Sequence, residues 1–271
     1  MESQRKKEKA MIENLTALIT DGFAGTPGCP TSIRIVRVPF AWLTGQLEDA
    51  GGLVAGADYY LGRDERARFS AFRYEKRRIE WLAGRIAAKC AALQLADNSW
   101  ETCWPTEQWQ QLQIGADGAG KPFLLPPVAW AATPPAITIS HSNGVAVAMA
   151  ARQQCGVDIQ QITAAIERVE ERFVGPGEKE ILAPVTAAYG RQAALTLLWS
   201  AKEAVKKAAA GPVLPNFLHI ILTALHRNGD GLLFAVKVTD RAGGQGRPQL
   251  VWLHLLEDYS FAVTTAHQGG T

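Results

Sequence analysis

Residues 32–40, SIRIVRVPF, alternate apolar and basic side chains, the period-two pattern of a half-buried strand. From Asp64 to about Leu95 the period changes. Ile79, Leu82, Ala83, Ile86 and Cys90 recur at helical spacing, among Arg63, Arg66, Arg68, Arg73, Lys76, Arg77, Arg78, Arg85 and Lys89. AITISHSNGVAVAMAAR, residues 136–152, predicts two strands joined by a tight turn at Asn143-Gly144. GVDIQ, from Gly156, predicts another strand. A long helix is expected over about 191–210, ended by Gly211-Pro212. In the tail, HIILTAL and LLFAVKV flank an Asn-Gly-Asp-Gly turn, and LVWLHLL and SFAVTTA flank Glu257-Asp258-Tyr259, so four strands are expected. Elsewhere Gly and Pro punctuate the chain. Residues 21–31 read as a linker, 45–57 as a loop or loose helix start and 115–135 as mostly loop. A helical stretch over 163–182 is broken at Gly175-Pro176-Gly177, and residues 1–20 read as an amphipathic or frayed helix.

Each half thus holds a strand group and one or two long helices, an α+β pattern with a boundary near 152–156. A length of 271 residues suits about two domains. Hydrophobic residues at 47% and charged residues at 20% are globular values and exclude disorder over most of the chain. The net charge of +2 is too small for a protein that wraps a nucleic-acid backbone, so no nucleic-acid partner is expected, although a local basic pocket is compatible with it. No apolar run reaches bilayer length, and Glu13, Asn14 and Thr16 interrupt the N-terminal apolar segment, so a cytoplasmic protein with no membrane partner is expected. Cys29, Cys90, Cys103 and Cys155 form no CxxC and read as reduced thiols. Four of the 8 Trp residues fall between Trp81 and Trp109, pointing to large buried or partner-facing aromatics.

Four segments can carry chemistry. In Gly156-Val157-Asp158-Ile159-Gln160, strand alternation puts Asp158 and Gln160 on one face, with Val157 and Ile159 turned to the core. An acid there suits a hard cation such as Mg²⁺, or simply a turn or cap. In WSAKEAVKKA, Glu203 and Lys207 are four residues apart on a helix face, a stabilising pair or a carboxylate beside a metal with lysines on phosphates. Ser140-His141-Ser142 offers a His between hydroxyls, able to donate to a phosphate or to bond locally in a turn. Gly118-Ala119-Gly120-Lys121-Pro122 lacks the GxxxxGK[ST] spacing and is not a Walker P-loop, and no GxSxG supports a hydrolase elbow.

Taken in order, GKP, SHSNG, GVDIQ and WSAKEAVKKA resemble the pattern of the 4′-phosphopantetheinyl transferases. The likeness is to the larger single-chain, pseudo-dimeric, surfactin-synthetase-activating type. Arg77-Arg78-Ile79-Glu80-Trp81-Leu82-Ala83-Gly84-Arg85 resembles that family's R-R-x-E-[FYW]-L-A-G-R segment, and Arg172-Phe173 with Glu178-x-x-x-Leu182 its R-F…E-x-x-x-L stretch. The resemblance covers about 60–210 well and the tail loosely.

It implies two similar α+β halves, each a small, mainly antiparallel sheet on a long helix. Residues 1–31 would be an N-terminal extension and linker, 32–153 one half and 154–271 the other, with the site in the cleft between them. A single chain with both halves would act as a monomer. The implied reaction moves phosphopantetheine from coenzyme A to a serine of an acidic acyl or peptidyl carrier protein, releasing adenosine 3′,5′-bisphosphate. Asp158 and Glu203 would hold Mg²⁺, with Gln160 at the position of a third ligand. Glu203 is also the candidate base, and Asp158, Glu203 and Lys207 the catalytic set. Lys202 and Lys207 would contact phosphates. Lys121, Ser140 and His141 would line the nucleotide side, and Arg78 and Arg85, with Arg77 beside them, would reach the 3′-phosphate. Carrier docking is expected near Arg172 to Leu182. Two departures stand out: Gln160 replaces a usual acid, which predicts a weaker or different metal preference, and Ala209-Ala210-Gly211-Pro212-Val213-Leu214 replaces a usual G-x-G-[LIF]. Gln160 also motivates an alternative, a homologue that binds coenzyme A or a carrier protein without catalysis.

Overall fold

The computed structural model describes residues 12–99, 101, 104–125, 133–209, 214–239 and 245–266. The chain forms two compact units, Met1–Thr16 with Ser32–Arg152, and Ala17–Thr31 with Gln153–Thr271. Both are α+β. No helix among the described residues is long and apolar enough to cross a membrane.

In the first unit, strands β1 (Glu13–Asn14), β2 (Ile33–Pro39), β5 (Ala136–Ser142) and β6 (Val145–Ala151) form an antiparallel sheet in the order β1-β2-β6-β5. The turn expected between β5 and β6 is present, with Asn143 and Gly144 at φ of 21° and 90°. Helix α5 (Glu75–Ala96) lies against β6, β2 and β5. Its sequence is Ala-, Leu-, Arg- and Lys-rich with no proline, and every residue from Trp81 to Leu95 is buried. Helices α2 (Phe40–Asp49) and α4 (Arg63–Ala71) and strand β3 (Gln113–Ala116) also pack on it.

The structure sharpens the sequence reading here at four places. Residues 45–57, read as a loop or a loose helix start, lie mostly in α2 and α3 (Leu53–Tyr60), separated by Gly51 and Gly52 at positive φ. Their helices are held by tertiary burial of Leu43, Leu47 and Ala57 rather than by propensity. The basic segment from Asp64 is two helices, α4 and α5. Within 115–135, β3 pairs with β4 (Pro122–Leu125) in a hairpin, while 126–132 fall outside the described residues. Arg34, expected on an exposed face, is buried; it donates to the Ile33 carbonyl at 2.9 Å and Asn98 Oδ1 at 2.8 Å. Trp81, Trp104 and Trp109 are all core residues.

In the second unit, strands β7 (Cys155–Gln161), β8 (Ile220–Asn228), β9 (Gly231–Thr239), β10 (Gln245–Leu256) and β11 (Tyr259–Thr265) form an antiparallel sheet ordered β7-β11-β10-β9-β8. A 3₁₀ segment, Ala164–Arg172, leads to α7 (Glu178–Tyr189), which starts after Gly177 at φ 78°. Helix α8 (Arg191–Ala208) packs on β7, β11 and β10. Residues 21–31, expected as linker, lie in this unit: Phe23 is fully buried, edge-on to the His254 ring at 5.4 Å, and Asn228 donates to the Gly22 carbonyl at 3.1 Å.

Each unit contains a buried ionic node of the same construction. In the first, Lys89 Nζ on α5 donates to Glu65 Oε2 at 2.5 Å and to the carbonyls of Tyr60 and Trp109, both at 2.7 Å. Glu65 accepts from the amides of Gly62 and Ile114, both at 3.1 Å. In the second, Lys202 Nζ on α8 donates to Glu178 Oε2 at 2.8 Å, the Phe173 carbonyl at 2.6 Å and the Phe217 carbonyl at 3.2 Å. Glu178 accepts from the amides of Gly175 and Leu222, both at 2.6 Å. In both nodes the Glu-to-Lys separation is 24 residues and the glycine donor precedes the Glu by 3. Burial lowers the pKa of both lysines and the facing glutamate partly restores it.

Candidate functional site

The site builds on β7 and α8. Gly156, Asp158 and Gln160 share the strand face turned to the helix, whereas Val157 and Ile159 are fully buried on the other face. The close approach needs the glycine: a Cβ at Gly156 would lie 1.8 Å from the Ala204 carbonyl oxygen. Across this contact Lys207 Nζ donates to Asp158 Oδ1 at 2.8 Å and to the Val157 carbonyl at 3.1 Å. Asp158 is 4% exposed. Glu203, one helical turn before Lys207, is half-buried and pairs with Lys206 at 3.8 Å. Its pKa is raised, first by burial and then by repulsion from Asp158, against the pull of Lys206 and Lys207.

Two carboxylates that repel each other beside a partly open face are suited to a cation. Among the described residues no group of three or more His, Cys, Asp or Glu side chains could hold a metal. Two carboxylates and the half-buried Gln160 amide oxygen are an all-oxygen donor set, which fits a hard ion that retains water, such as Mg²⁺.

Lys202, expected at phosphates, is fully buried with its ammonium directed to three acceptors in the Glu178 node. Phe173, Glu178 and Leu182 are internal as well, so of the expected docking stretch Arg172, Lys179 and Glu180 point outward. Trp199 packs between Phe173 and Phe217, with ring centroids at 5.2 and 4.7 Å. Residues 210–213, where the departure from G-x-G-[LIF] falls, lie outside the described residues.

The remaining expected residues lie in the first unit. Ser140 is buried and His141 exposed at the end of β5. Arg77 Nη1 lies 3.2 Å from His141 Nε2. A guanidinium offers no acceptor, so Nε2 accepts and the ring proton sits on Nδ1. Arg78 instead donates to the carbonyls of Phe72 at 2.9 Å and Ser70 at 3.3 Å. Arg85 is buried with its guanidinium 4.6 Å over the Trp81 ring, and burial lowers its pKa to about 10. Lys121 closes a hairpin turn: its amide donates to Asp117 Oδ1 at 2.9 Å, next to Gly120 at φ 82°. Arg77 is thus the residue that sequence reasoning ranked below its neighbours; adjacent helical residues diverge by about 100° in direction.

Residues 154–264 match the 4′-phosphopantetheinyl transferase superfamily. The chain is also similar to enterobactin synthase component D of Escherichia coli O157:H7 and of Shigella flexneri, at 38% identity over 136 residues in each case. The matched stretch covers 49% of this chain and 55% of each relative, so the chain spans about half the length of the relatives it matches. All the residues of the Asp158, Glu203 and Lys207 group fall within the 4′-phosphopantetheinyl transferase segment, and so does the Glu178–Lys202 node.

Proposed function

We propose that this protein transfers the 4′-phosphopantetheine group of coenzyme A to a serine hydroxyl of an apo acyl or peptidyl carrier protein, dependent on Mg²⁺. The observation that carries the reading is the Lys207–Asp158 ion pair at 2.8 Å, with Glu203 one turn away, inside the family segment. Asp158, Glu203 and the Gln160 amide oxygen would hold Mg²⁺, which when bound neutralises charge on the pyrophosphate.

The serine oxygen forms a bond to the phosphorus that bears pantetheine, and the bond from that phosphorus to the bridging oxygen breaks. Adenosine 3′,5′-bisphosphate leaves with the electron pair. The serine proton passes to Glu203, the half-buried carboxylate one helical turn before Lys207. Lys207 sits against Asp158 and supplies positive charge for the phosphates. Within the first unit Arg77 and His141, rather than Arg78 and Arg85, are the exposed pair able to donate to a phosphate. The nucleophile belongs to the carrier, which accounts for the absence of a Ser-His-Asp pattern in this sequence.

The test is the intact mass of an apo carrier protein incubated with this protein, coenzyme A and Mg²⁺. A gain of one phosphopantetheine, lost with EDTA and with Asp158→Ala, is expected. Coenzyme A binding with no mass gain on carriers of several pathways would establish the binding-only alternative that Gln160 motivates. In the same assay Gln160→Glu is expected to lower the Mg²⁺ concentration at half-maximal rate; an unchanged titration removes Gln160 from the metal site.

A further inference from the structure

We propose that Glu178 is a positioning residue: through Lys202 its carboxylate holds α8 in the register at which Glu203 and Lys207 meet Asp158. This rests on the transferase reading above.

The carboxylate of Glu178 is 1% exposed, and its hydrogen bonds go to Gly175, Lys202 and Leu222 rather than to Asp158, Glu203 or Lys207, so it acts through what it binds. Its partners come from three places in the chain: the Gly175 turn, Lys202 on α8, and Leu222 on the edge strand β8. Leu222 lies where β8 shifts register against β9, so the edge strand is fastened to the carboxylate at its irregular point. Lys202 adds the Phe173 and Phe217 carbonyls. Helix α8 is therefore anchored to fixed main-chain groups at the residue immediately before Glu203.

On its other side the helix has no slack. Gly156 leaves no space for a Cβ beneath the Ala204 carbonyl, and the Lys207–Asp158 contact is a direct 2.8 Å bond. A sliding or rolling of α8 that shortened one contact would lengthen the other. Glu203 adjoins the anchor in sequence yet points to a different side, about 100° around the helix. A displacement at Lys202 is thus delivered to Glu203 with little loss.

The first unit supplies the control. Glu65 and Lys89 make the same kind of node at the same 24-residue separation, but the residue after Lys89 is Cys90 and the residue five after it is Gln94. If such a node served folding alone, shortening either glutamate would have the same consequences.

The experiment compares Glu178→Asp with Glu65→Asp in the full chain. Each keeps the charge and shortens the reach by one methylene. Melting midpoints, coenzyme A affinity, KM and kcat for carrier modification are measured well below either midpoint. Comparable losses of melting midpoint are expected. For Glu178→Asp, kcat is expected to fall by about 100-fold, the scale of an ångström-level misplacement, with KM for coenzyme A within about 2-fold. For Glu65→Asp, kcat should stay within about 2-fold of wild type. Glu178→Gln, of full length, is run alongside and is expected to lose less kcat than Glu178→Asp; it stands in if the aspartate variant does not fold. Equal kcat in the Glu178 and Glu65 variants overturns the positioning role alone. A wild-type protein that binds coenzyme A but modifies no carrier overturns the transferase reading and the positioning role with it.

Discussion

Set the long helix of the first unit beside that of the second. Both bury a lysine against a glutamate 24 residues earlier, both direct that lysine to two carbonyls, and both satisfy the glutamate with two amides. One residue on, the first helix has Cys90 and the second Glu203; five on, the first has Gln94 and the second Lys207. Cys90 is fully buried, and Gln94 is bonded to Asn14 at 3.1 Å and to the Glu101 carbonyl at 2.7 Å. Glu203 and Lys207 instead gather around Asp158. What the two helices share holds a helix to its sheet. What only the second carries is the acid and lysine pair to which the proposed chemistry is assigned. The comparison separates Lys202 from Lys207 although both belong to one short motif.

The strongest way to break this division is at the unshared positions. Asp158→Ala and Glu203→Gln should each reduce carrier modification by about 10²- to 10³-fold or more while the protein still melts cooperatively, whereas Cys90→Ala should leave the rate unchanged. Circular dichroism melts and initial rates on the same preparations check this. A Cys90→Ala loss as large as that of Glu203→Gln would end the distinction.

Next come the shared lysines. Removing one member of a buried ion pair leaves the other uncompensated, at a cost of about 3–5 kcal/mol. Lys89→Met and Lys202→Met should therefore both lower unfolding free energy in urea by that order. A small effect of Lys202→Met on stability would return that lysine to the phosphates.

The glycines at the two helix–sheet contacts, Gly84 on the first helix and Gly156 on the strand under the second, differ more gently. A Cβ at Gly156 meets main chain at 1.8 Å, whereas one at Gly84 meets the Ile139 Cγ2 at 2.9 Å, the movable end of a side chain. Gly156→Ala should reduce both stability and rate, because α8 must lift from β7. Gly84→Ala should cost only about 1–3 kcal/mol of stability, with the rate preserved.

The smallest contrast is in pH. His254 of the second unit is buried, with Nε2 2.8 Å from the Leu18 carbonyl, and burial lowers its pKa below the ordinary 6.5. The folded state then holds fewer protons than the unfolded state between the two values. The stability this contributes is present above pH 6.5 and is lost as pH falls through the folded pKa. Hydrogen exchange at falling pH should show amides around His254 and Leu18 opening early. His254→Phe should flatten that dependence.

Much of the fold was legible in local pattern. Alternation placed β5, β6, β7 and the four tail strands, and helical spacing placed α8, because each signal lies within a few residues of itself. GVDIQ and WSAKEAVKKA marked Asp158, Glu203 and Lys207 through their resemblance to a family pattern, and the fold brings Lys207 onto Asp158. The glycine-rich stretch at 45–57 left loop and loose helix open because α2 and α3 owe their helicity to burial against other elements, which local composition does not encode.

The amino-acid order alone therefore determined the element types, the α+β class, and the presence of acids and lysines in a transferase-like pattern. Tertiary structure decided which of them meet. Lys202 and Lys207 are equally basic in sequence, yet five residues turn a helix by about 140° beyond a full circle, so one faces Glu178 and the other Asp158. Arg77 and Arg78 diverge in the same way, one to His141 and the other to backbone carbonyls. The deciding partners of Lys202, Lys207 and Arg77 lie 24 to 64 residues away in the chain, beyond the range of any periodicity, and it is packing that brings them to bonding distance.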